Sequence, residues 1–84
     1  RQTDMGQAVV KVFYEQVFVV PHHATQELFE AALSLAKRAA MDVNKPILMV
    51  HCNRGTKDLH IDAELENSLL EVFARVFYGH EHKL

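Results

Sequence analysis

The sequence is short of the residues that usually mark a fold at first sight: one cysteine, three glycines, two prolines and no tryptophan in 84 residues. A lone thiol closes no internal disulfide, so packing must hold the chain together, and a reducing, cytoplasmic setting is expected. Long apolar runs are missing too. Lys11, Glu15, His22 and His23 interrupt the longest candidates, well short of the ~20 residues of a membrane span. No signal peptide is evident. The first residue is Arg1 rather than Met, so further N-terminal residues are expected to precede it. An excess of basic charge is also absent. Nine Lys and Arg against eleven Asp and Glu leave a net charge of −2, which argues against a phosphate-backbone binder, since that needs a basic stripe. Neither nucleic acid nor membrane is therefore an expected partner.

What is present is an ordinary globular balance, 49% hydrophobic and 24% charged, with no internal repeat, linker or low-complexity stretch. The length allows one small domain over residues 1–84. A chain of this size buries only roughly 60–65% of its unfolded surface, so its own core is marginal.

Residues Val9 to Val20, VVKVFYEQVFVV, hold six Val, two Phe and one Tyr, a density that favours a strand. A helix over 4–20 is the alternative, because Asp4 and Gln7 make a capping pair and Gln7, Lys11 and Glu15 share a face. Pro21 ends either element. Ala24 to Ala40 reads as a helix with an apolar stripe of Leu28, Ala31, Ala32, Leu35 and Ala39 and with basic residues late. Pro46 then admits a strand from Ile47 to Cys52. Lys57 to Asp62 alternates around the glycine-containing turn Asn53–Thr56 and reads as the second arm of a hairpin. Asp62 caps a helix predicted to run to Tyr78 through Leu65, Leu69, Val72, Phe73, Val76 and Phe77, with Gly79 as its stop. The expected fold is α+β: a two-layer β-α-β-β-α sandwich with an antiparallel sheet.

The stretch ILMVHCNRGTKD, Ile47 to Asp58, invites comparison with a phosphate-cradling thiol loop. That chemistry needs an arginine six positions after the cysteine, so that a guanidinium steadies the phosphate while the thiolate attacks. Six positions after Cys52 stands Asp58, whose charge repels phosphate. A nucleotide P-loop fails as well, for want of the Gly-Lys-Ser/Thr order. The hairpin reading instead makes Cys52 a buried strand residue beside Leu48, Val50, Leu59 and Ile61. It sets Ile47, Met49, His51, Asp58 and His60 on the other face, with His51 opposite Asp58 and Met49 opposite His60. His51, Asp58 and His60 are thereby weak candidates for a metal site or small catalytic set. No cofactor or catalytic residue is otherwise expected.

The first strand is apolar on both sides: Val10, Val12, Tyr14, Phe18 and Val20 one way, Val9, Phe13, Val17 and Val19 the other. A sheet with helices on one face should be polar on its open face. An apolar open face of several hundred Å² marks an interface, unless the strand bends at Glu15–Gln16 and covers its own surface. The residues favoured for a partner or dimer interface are Phe13, Tyr14, Phe18, Ile47 and Met49.

In overall look, through VVKVFYEQVFVV, the LFEAALSLAKRAA helix and its small size, the chain resembles small bacterial antiactivators that bind quorum-sensing receptors of the LasR type. The resemblance implies a dimeric protein that occupies the dimerisation surface of a transcription factor, and it assigns no individual residue. Together these readings lead to the expectation of a non-enzymatic, homodimeric regulatory domain acting on a protein partner. The alternative is a small metal-binding domain or enzyme built on His51, Asp58 and His60.

Overall fold

The structure, a computed structural model, describes residues 7–51 and 59–79. It is α+β, as expected, with the elements in the order β1 Lys11–Phe13, β2 Val17–Val20, α1 Gln26–Ala40, β3 Ile47–His51, α2 Ala63–Leu70 and β4 Arg75–Gly79. The strands form one mixed sheet in the order β1-β2-β3-β4. β1 pairs antiparallel with β2, whereas β2–β3 and β3–β4 are parallel. Parallel neighbours require a crossover, and α1 and α2 supply the two.

Three expectations are corrected here. The strand expected over Val9 to Val20 is two strands. The chain reverses at Tyr14–Gln16, closed by a hydrogen bond of 3.0 Å from the Gln16 amide to the Phe13 carbonyl. Tyr14 and Glu15 take φ of 57° and 58°, the mirror-image turn geometry that suits the twist of a hairpin. That turn normally announces itself by Asn-Gly, and here no glycine is present to do so. The helical alternative for 4–20 fails over its described part for the same reason.

The second correction concerns the hairpin between Ile47–Cys52 and Lys57–Asp62. Both edges of β3 are already taken, Met49 pairing with Val19 on one side and Phe77 on the other. No third strand can pair with it, and 59–62 are not strand. Cys52 to Asp58, with the thiol loop and turn, lie outside the described residues. So the sheet is mixed rather than antiparallel, and the element order is β-β-α-β-α-β.

Third, the helix expected from Ala63 to Tyr78 stops at Leu70. The run Val76-Phe77-Tyr78 is strand-favouring, and pairing with β3 outweighs the helical spacing that continues through it. Ala74 begins the switch by donating to the Pro46 carbonyl at 2.8 Å.

The caps hold. Thr25 Oγ1 accepts from the Leu28 amide at 3.1 Å and Asp62 Oδ1 from the Leu65 amide at 2.8 Å, each satisfying an otherwise orphan donor. In α1 the buried stripe is Phe29, Ala32, Leu33, Ala36 and Ala40, not Leu28, Ala31, Ala32, Leu35 and Ala39. Two apolar stripes fit this helix, and the one bearing Phe29 has more surface to bury. It packs with Leu69 and Phe73 over Phe18 and Val20 of β2 and Leu48 and Val50 of β3, forming a single core. Phe18 and Phe73 meet edge to face, with centroids 5.8 Å apart, a favourable aromatic geometry.

Candidate functional site

With the even-numbered side chains of β2 and β3 turned to the helices, the odd-numbered ones face the other way. The register joins them into two cross-strand rows. Lys11, Val19, Met49 and Phe77 form one; Phe13, Val17, Ile47 and Arg75 form the next. His51 and Gly79 continue the face at one end. Six of the eight side chains in the two rows are apolar, and the two cations stand at opposite corners on the edge strands.

Three residues separate Phe13 from Val17 in the turn, so the reversal preserves side-chain parity. Odd residues before and after it share one face. This is why the alternation read along an unbroken strand still sorted Val9, Phe13, Val17 and Val19 from Val10, Val12, Phe18 and Val20. The bend occurs where the sequence allowed it, yet it does not hide the surface. Phe13 is 40% and Phe77 47% exposed, and Tyr14, at the turn tip, is 92% exposed. Val17, Val19, Ile47 and Met49 are half-buried among their neighbours. Phe13, Tyr14, Val17, Val19 and Met49 line a shallow concavity of about 400 Å³. Among the described residues the helices pack on the opposite side.

Of the five interface candidates, Phe13, Ile47 and Met49 lie on this face and Tyr14 at its margin. Phe18 does not reach it: at 2% exposure it belongs to the core beneath α1. Its even-numbered position opposite Leu48 forces that side. Sequence reading missed Phe77 and Arg75 as members of the face because the helical pattern claimed their segment. The β-favouring RVFY run was the signal available.

The metal candidates do not come together as expected. His51 sits at the end of β3 with its ring 5.5 Å from that of His22, edge to face. His60 is exposed, its backbone clasped by Gln26, whose Nε2 donates to the His60 carbonyl at 2.9 Å and whose Oε1 accepts from the His60 amide at 3.2 Å. Because β3 is paired on both edges, His60 cannot stand opposite Met49 on an adjoining strand. Asp58 lies outside the described residues. Among the described residues no three His, Cys, Asp or Glu side chains are grouped to hold a metal, and no helix is long and apolar enough to cross a membrane.

Searches against known protein families, characterised proteins and solved structures return no match to this chain. The likeness to quorum-sensing antiactivators therefore rests on sequence character alone.

Proposed function

We propose that this chain is a non-enzymatic regulatory interaction domain, homodimeric, that engages a protein partner through the open face of its sheet. One observation carries the reading: six apolar side chains from four strands are gathered on the face that the helices leave uncovered. Their exposed surface is on the order of several hundred Å², the scale that soluble monomers reserve for interfaces. Met49 on a central strand and the rings of Phe13 and Phe77 on the edge strands are side chains of the kinds that commonly carry binding energy.

The same face serves the second copy and the partner, so engaging a partner means exchanging one for the other. On the antiactivator resemblance, that partner is a cytoplasmic transcriptional regulator whose own dimerisation surface the face occupies.

The test is sedimentation equilibrium of the native chain beside Met49→Lys, over a wide concentration range. Met49 is half-buried at the middle of the face, where a lysine leaves the core intact but cannot be desolvated cheaply. Dimer for the native chain and monomer for the variant is the expected result. A compact monomer at all concentrations would count against the homodimer. Capture of a partner by the native chain, lost with Met49→Lys, extends the test to the second role.

A further inference from the structure

Resting on the reading of the open face as an interaction surface, the register of the sheet says how a second copy would sit on it. The four-residue rows run Lys-Val-Met-Phe and Phe-Val-Ile-Arg across the strands. Each row has a cation at one end and a ring at the other, in opposite senses. The face bears two cations and no acidic side chain in these rows, so a copy laid on it in an arbitrary register risks opposing like charges.

A two-fold axis removes that conflict. Two-fold pairing is the commonest assembly of identical chains, and it presents the same patch from both sides. Turning one copy about an axis in the sheet plane and parallel to the strands lays β1 over β4 and β2 over β3. Every row then meets itself reversed. Lys11 lies over the partner's Phe77, Phe13 over the partner's Arg75, and Val17 and Val19 over the partner's Ile47 and Met49. All four cations of these rows in the dimer meet an aromatic ring, and within the rows no cation opposes another. Both Lys11 and Arg75 are exposed and free of the core, so their heads can reach the rings. Sheets packed face to face keep their strands within about 30° of each other, which this axis satisfies.

The other in-plane axis, across the strands, also sets rings under cations, Lys11 over the partner's Phe13 and Arg75 over the partner's Phe77. Exchanging Lys11 with Phe77, however, preserves the match of cation to ring only about the axis along the strands.

We infer that the open face is filled by a second copy about a two-fold axis along the strands, with Lys11 and Arg75 each seated on a phenylalanine ring of the other copy. Strands of three, four, five and five residues, at ~3.3 Å per residue and ~4.8 Å apart, give a footprint of roughly 270 Å² on each copy. This is a small interface rather than an obligate one, so its dissociation falls within reach of dilution.

The pairing Lys11 with the partner's Phe77 can be exchanged within one chain. Across one copy the two are three strands, about 14 Å, apart, so any coupling between them passes through the second copy. In Phe77→Lys two lysines oppose each other, and association should weaken by about tenfold or more. Adding Lys11→Phe restores one cation and one ring at each site, and the double variant should return to within about threefold of the native dimer. Sedimentation equilibrium reads the dissociation constant, and circular dichroism checks that each variant is folded. Should Phe77→Lys fail to fold, Phe13→Arg with and without Arg75→Phe repeats the experiment at the other corner. A double variant as weak as the single one overturns this register and leaves the open-face reading standing. Association unaffected by Phe77→Lys overturns both.

Discussion

The Val9 amide donates to Nε2 of His23 at 2.9 Å. His23 Nδ1 stands 2.8 Å from the Pro21 carbonyl. A ring nitrogen that accepts from an amide carries no proton, so the hydrogen of this imidazole is on Nδ1 and is donated to Pro21. The ring is 5% exposed. It clips the segment before β1 onto the end of β2, and Ala8 and Val10 pack against the core beside it. In the segment between β2 and α1, His23 is a buried connector between two stretches of backbone.

Replacing His23 by Leu preserves much of its bulk but strands the Val9 N–H and the Pro21 carbonyl. The expected cost is about 1–3 kcal/mol for the two part-buried hydrogen bonds lost, read as a lower urea midpoint at unchanged slope. An unchanged midpoint would mean that the clip contributes nothing to stability.

Phe18 and Phe13 are five residues apart and face opposite ways. Phe18→Ala removes the ring packed against Phe73 and should cost about 3–5 kcal/mol, a large share of the stability of a small domain. Phe13→Ala should leave the unfolding midpoint within ~1 kcal/mol of native, because the ring is already partly in water, and should weaken association instead. Denaturation and sedimentation on the same two variants separate core from interface. A reversed result would contradict the assignment of faces.

At the turn, two residues with side chains hold left-handed backbone, a conformation that costs roughly 1–2 kcal/mol per residue. Tyr14→Asn with Glu15→Gly supplies the residues this turn prefers. The double variant should gain about 1–2 kcal/mol in chemical denaturation. If the exposed Tyr14 anchors the interface, the same variant loses association while gaining stability. A loss of stability would show that the turn geometry is not the source of strain.

Asp62 caps α2 through a single accepted bond. Asp62→Ala should cost about 1 kcal/mol and Asp62→Asn less than half of that, since Asn also caps well. The helix is only eight residues long, so much of its stability lies in its ends and in packing. Hydrogen exchange of the Leu65 amide, faster in Asp62→Ala, checks the mechanism directly.

The candidate face was legible as a property before it was legible as a place. Odd-numbered Val and Phe residues in VVKVFYEQVFVV identify an apolar side wherever the strand lies, because alternation is local. Ile47 and Met49 join it for the same reason. Phe77 and Arg75 were hidden, since Leu65, Leu69, Val72, Phe73 and Val76 satisfy helical spacing without interruption. Only a free edge on β3 makes the strand the better state for the last part of that run.

Sequence alone determined the helix read over Ala24 to Ala40 and found at Gln26–Ala40, the cap at Asp62, the strand after Pro46 and the α+β class. Each follows from interactions among residues a few positions apart. Tertiary structure decided the reversal at Tyr14, the parallel pairing of β3 with β2 and β4, the stripe of α1 that is buried, and the conversion of Arg75–Gly79 to strand. Those outcomes depend on which distant segment offers hydrogen-bond partners and apolar surface, and no local pattern records that choice.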